Sequence, residues 1–144
     1  MHLDFRLIED RETDWSSVTE EDLRYRVALG NLVFHIGDKD FSADWDWIPL
    51  VDLAASFAEI IRKLEGGSPS ETFEFTESDA WVRFEKKGEK VLVSTSYGEG
   101  VAEIALHSAS QAVNSFRERL RSDLVRKHPQ AEHNAAVRKL LGSA

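Results

Sequence analysis

The 144 residues suffice for one domain that buries about two thirds of its unfolded surface, and a composition 42% hydrophobic and 31% charged is globular rather than disordered. The absence of cysteine excludes disulfides, thiolate nucleophiles and cysteine-ligated metals, and fits a reducing cytoplasm. A net charge of -8 argues against nucleic acid or anionic lipid as a partner, because both are held chiefly by Lys and Arg.

The charge is uneven. Between Glu9 and Asp22 the acids face only Arg11, whereas Arg117 to Lys139 is mildly basic. No stretch approaches the roughly 18 apolar residues of a membrane helix. Met1 to Arg6 lacks the basic start and apolar run of a secretion signal, so a cytoplasmic location is expected.

In chain order, Leu3, Phe5 and Leu7 alternate with Asp4 and Arg6 and predict a half-buried strand. Thr19 to Asp22 has the makings of a cap for a short helical turn. From Leu23, however, the period is two, through Tyr25, Val27 and Leu29, which predicts a strand. Gly30-Asn31 then has the chemistry of a two-residue turn closing a hairpin onto Leu32–Ile36. A further strand is expected over Phe41–Trp45, after a Gly37-Asp38 turn.

The clearest helix runs from Pro49 to Glu65, with Leu50, Leu53, Ala54, Phe57, Ile60, Ile61 and Leu64 on one stripe, and Gly66-Gly67 and Pro69 ending it. Strands follow over Thr72–Phe75, Ala80–Lys86, Glu89–Tyr97 and Val101–Leu106, with Lys87-Gly88 as a hairpin turn. Ser108 and Gln111 match a capping box for a second helix, which buries Val113, Phe116, Leu120 and Leu124. Pro129 ends it, and Gln130–Leu141 reads as a short last helix. The expected fold is a single α+β domain over 1–144: a mostly antiparallel twisted sheet of about six to eight strands with helices packed on one face.

The chemical signals are sparse. None of the five histidines pairs at the i, i+4 spacing of a helical zinc site. Asp38, Asp40, Asp44 and Asp46 alternate like calcium ligands, but Ala43 stands where the loop needs glycine and Pro49 where it needs a bidentate acid. Gly98-Glu99-Gly100 lacks the glycines and lysine of a phosphate cradle, and no nucleophile elbow occurs. No catalytic residue, metal site or cofactor site is therefore assigned.

Trp45 and Trp47 fall on one face if extended, as core aromatics or, beside Asp44 and Asp46, as an aromatic anchor inside an acidic rim. Trp15, set among acids, reads as the more exposed indole. The candidate partner-binding residues are Asp38, Asp40, Asp44, Trp45, Asp46 and Trp47.

Four stretches together resemble small uncharacterised bacterial single-domain proteins and, more loosely, toxin-neutralising immunity proteins. They are Leu3–Leu7, Leu23–Ile36, Trp47–Ala54 and the passage from Val101 to Phe116. The likeness is one of layout over most of the chain. It implies a noncatalytic, acidic protein that covers a toxin domain with a complementary surface, and it transfers no functional residue. The expected partner is a basic toxin domain, with a homodimer as a further possibility. The alternatives are an enzyme or small-ligand binder with a pocket between sheet and helices, and a homo-oligomeric structural protein.

Overall fold

The computed structural model describes residues 1–142; the last two residues of the expected 1–144 domain lie outside that range. Strand β1 (His2–Leu7) leads through a loop to helix α1 (Glu20–Tyr25), then to β2 (Leu29–Ile36), β3 (Lys39–Asp40) and β4 (Ala43–Pro49). Helix α2 (Leu50–Glu65) follows directly, then β5 (Ser70–Glu74), β6 (Trp81–Lys87), β7 (Lys90–Thr95) and β8 (Ala102–Ala105). The chain ends in α3 (Leu106–Lys127), a 3-10 turn over Pro129–His133, and α4 (Ala135–Leu141).

The class is α+β with antiparallel pairing, but the strands divide into two four-stranded sheets instead of one. In the first, β2 is central, pairing with β1 along its length and with β4 and β3 on its other edge. The second is a meander in the order β5-β6-β7-β8, with Gly88 at positive φ in the β6–β7 turn.

Phe57 of α2 explains how one helix serves both sheets. Its ring lies 6.0 Å from Phe34 of β2, 5.4 Å from Phe73 of β5 and 5.3 Å from Phe84 of β6, each edge to face. Phe116 of α3 meets Phe5 of β1 in the same way at 5.7 Å. The buried side chains of both sheets and all the helices form one hydrophobic cluster.

Four local expectations are corrected. Leu23 begins no strand: residues 20–25 are helical, because Thr19 and Asp22 cap each other reciprocally and Leu23 is the one fully buried side chain of the turn. Gly30-Asn31 is no turn either. Both residues sit inside β2, where Gly30 is required because an added Cβ would stand 2.1 Å from the Arg6 carbonyl oxygen. The Ser108 and Gln111 capping box does not form, since α3 runs straight out of β8 from Leu106, whose N–H donates to the Glu89 carbonyl at 2.8 Å. The last helix begins at Ala135, after the 3-10 turn, with Asn134 accepting from the N–H groups of Ala136 and Val137.

Candidate functional site

The Asp-Trp stretch lies on a large bulge of β4. Leu32 pairs with Ala43 and Gly30 with Ile48, so the single residue Asn31 stands opposite the four residues Asp44 to Trp47. Asn31 is buried and holds the bulge by two bonds. Its Nδ2 donates to Asp46 Oδ1 at 3.0 Å, and its Oδ1 accepts from the Asp46 N–H at 2.7 Å. Asp46 has φ 67°, the left-handed region that a non-glycine residue occupies at a cost. That conformation turns the chain so that the two indoles come together.

Trp45 and Trp47 stack with centroids 5.4 Å apart and planes at 19°. Trp45 is also met edge to face by Phe75 at 5.1 Å and Tyr97 at 5.0 Å. Both indoles are half-buried, neither core nor free. Beside them lies a shallow hollow of about 490 Å³, lined by Trp45, Trp47, Ser78, Asp79, Ala80 and Ser96. Asp79 is the one ionisable residue in its lining. The floor is fixed by hydrogen bonds: the Trp81 N–H donates to Ser96 Oγ at 2.9 Å, and the Ala80 N–H to Ser78 Oγ at 3.1 Å.

The four predicted aspartates do not act as one group. Asp44 and Asp46 flank the indoles, and Asp44 pairs with exposed Arg6 at 2.9 Å. Asp38 lies at the tip of the β2–β3 hairpin, beyond Ile36, five residues up β2 from Asn31, or roughly 16 Å at strand rise. Asp40 lies near that end and accepts from the Ser42 N–H at 2.9 Å. Hydrogen bonds from Ser42 hold the Asp40 carboxyl below its ordinary pKa, with the neighbouring His35 contributing. Trp15, expected to be exposed, is buried at 3% and belongs to another part of the molecule.

Sequence reasoning missed Asn31, Phe75, Asp79 and Tyr97. They come from three other strands and loops, and no spacing in the chain joins them to Trp45. Among the described residues no group of three or more His, Asp or Glu is placed to hold a metal ion, and no helix is long and apolar enough to cross a membrane. No family model, curated protein or solved structure matches the chain.

Proposed function

We propose that the chain is a noncatalytic protein-binding domain, most concretely an immunity protein that neutralises a basic toxin domain through its acidic surface. The observation that carries the reading is the clamped bulge. A strained Asp46, held by a buried asparagine, presents two stacked, half-exposed indoles between aspartates. Local strain held in place by its surroundings is a mark of functional sites. Large aromatics inside a polar rim have the composition of binding hot spots. The hollow offers aromatic faces and one carboxylate, a set suited to recognition of a cation rather than to proton transfer. The overall charge of -8 favours a basic partner at long range.

The test is binding kinetics against the product of the neighbouring gene, with thermal melts as the folding control. Reversing Asp44 and Asp79 to Lys is expected to slow association about tenfold or more at low salt while leaving the melting temperature nearly unchanged, since exposed charges add little stability. Trp47→Ala is expected to speed dissociation. Asp46 is unsuited to charge reversal because it is part of the Asn31 clamp. Association rates unaltered by reversal and by added salt would remove this surface as the interface.

A further inference from the structure

The second sheet runs β5-β6-β7-β8, so β5 is hydrogen-bonded on one side only. In an antiparallel ladder, alternate residues turn their N–H and C=O groups to the partner strand and the others turn theirs away. The bonds at the two ends of β5 show which are which. The Phe75 N–H donates to the Ala80 carbonyl at 3.0 Å and the Lys86 N–H to the Pro69 carbonyl at 2.9 Å, so residues 69, 71, 73 and 75 face β6. Trp81, which stands opposite Glu74, gives its N–H to Ser96 Oγ and accepts from the Ser96 N–H, on the side away from β5. Ser70, Thr72 and Glu74 therefore turn their backbone groups out of the sheet. The Ser70 carbonyl accepts from the Ser68 hydroxyl at 3.2 Å. Among the described residues, no hydrogen bond from outside the ladder reaches the backbone of Thr72 or Glu74.

A groove of about 900 Å³ runs along this edge and shares no residue with the bulge or its hollow. Glu71, Thr72, Phe73 and Glu74 all line it. Successive side chains of a strand point to opposite faces, so what these four residues have in common is the edge itself. Helices α2 and α3 form the other walls, and the small side chains of Ala55 and Ala58 on α2 leave room beside the strand.

An unpaired edge invites another strand unless something blocks it, and β1 shows how this protein blocks one. There the Leu3 carbonyl accepts from Arg119 of α3, which also pairs with Asp4 at 2.9 Å. Along β5 the nearby cations are engaged by side chains instead, Lys63 with Glu71 and Arg62 with Glu59. Unpaired backbone donors and acceptors at strand spacing are answered in full by one kind of occupant, another extended backbone.

We propose that this edge takes an extended segment of a partner protein as a fifth strand of the second sheet, held by the backbone of Thr72 and Glu74. The Glu74 carboxylate is exposed and stands across β6 from Trp81, so the added strand is best completed by a basic residue opposite it. A second copy of the chain fits poorly, because its own β5 is recessed behind the same two helices. The proposal does not depend on the reading of the bulge.

The experiment follows backbone amides by NMR as a capped hexapeptide alternating threonine and lysine is added. Saturable shifts and slowed hydrogen exchange are expected at the Thr72 and Glu74 N–H groups, whereas the Phe73 N–H, already bonded to β6, exchanges as before. Two counterpart peptides are N-methylated at every threonine or at every lysine. An added strand presents alternate amides to the edge, so one counterpart is expected to bind about tenfold more weakly or worse and the other to keep most of its affinity. Thr72→Pro removes a donor that β6 does not use, and it is expected to abolish binding while the fold is kept, since a free edge tolerates proline. Glu74→Lys is expected to weaken the peptide about three- to fivefold. The wild-type titrations do not depend on either variant folding. No saturable shift at millimolar peptide, equal binding of all three peptides, or shifts confined to α2 and α3 would overturn the proposal. So would self-association that protects Thr72 and Glu74 without peptide, because a second copy would then occupy the edge.

Discussion

Gly30 and Asn31 are adjacent, and each serves the bulge differently. A methyl group at Gly30 would meet the Arg6 carbonyl oxygen at 2.1 Å and Leu50 Cδ1 at 2.9 Å, so neither the β1 backbone nor the start of α2 could stay in place. Gly30→Ala is therefore expected to destabilise the fold by about 3 kcal/mol, the upper part of the usual range for overpacking. Gly88→Ala meets no neighbouring atom and bears only the strain of φ 66°, about 1–2 kcal/mol. Urea midpoints of the two variants check the order, and a Gly30→Ala protein as stable as Gly88→Ala would contradict it. The same dipeptide shows where sequence reading fails. Glycine followed by asparagine signals a tight turn when only local conformation is considered. Here the glycine answers a close approach from two other elements, and the asparagine bonds a residue fifteen positions away.

At the scale of elements, legibility follows length. Helix α2 spans 16 residues, enough for its apolar stripe to repeat four times, and its sequence pattern and ends agree with the structure. Helix α1 has six residues, fewer than two turns, and over so short a span Leu23 and Val27 satisfy a period of two and a helical spacing equally. The strand pattern predicts one sheet, but no strand of β1–β4 pairs with one of β5–β8; the two sheets are joined instead through side chains such as Phe57, which touches both, and strand periodicity does not encode which strands pair. So short a helix is not stable alone. Besides its cap and Leu23, α1 is held by Arg24, which pairs at 2.7 Å with buried Asp52 in the first turn of α2, where the helix dipole also favours a carboxylate. Arg24→Met leaves that carboxylate without its counter-charge, and a loss of about 2 kcal/mol is expected, below the 3–5 kcal/mol of a fully buried pair because Arg24 is partly exposed. Adding Asp52→Leu should recover most of the loss, since an apolar pair removes the stranded charge. A double-mutant cycle of urea midpoints measures the coupling, and strictly additive losses would show that the pair does not act as one.

Across the whole molecule, the two sheets meet where the Tyr97 hydroxyl donates to the Phe41 carbonyl at 2.8 Å, beside a Gly98 that leaves no room for a Cβ against Phe41. Burial raises the Tyr97 pKa well above its ordinary value, and the nearby Asp40 charge raises it further. A group that holds its proton more tightly when folded contributes stability that is complete below its unfolded pKa, near 10 for tyrosine, and is lost as pH rises towards the native value. Carboxylates act in the opposite direction. Thr19, mainly through its backbone N–H, holds Asp22 low, and Lys139 holds Glu20 low. Their contribution is complete above the ordinary carboxylate range near pH 4 and fades as pH falls through the depressed native values. The stability profile is therefore expected to be a plateau with an acid limb from many small contributions and an alkaline limb dominated by one side chain. Tyr97→Phe should cost about 1 kcal/mol at pH 7, the net worth of one neutral hydrogen bond, and should flatten the decline in melting temperature above pH 10 while leaving the acid limb unchanged. The wild-type-minus-variant absorbance at 295 nm should then develop only as the fold opens, because the buried phenol ionises when the seam between the sheets is broken. A tyrosinate signal from Tyr97 appearing near pH 10 in protein that is still folded would mean that the seam admits water and that Tyr97 does not join the sheets.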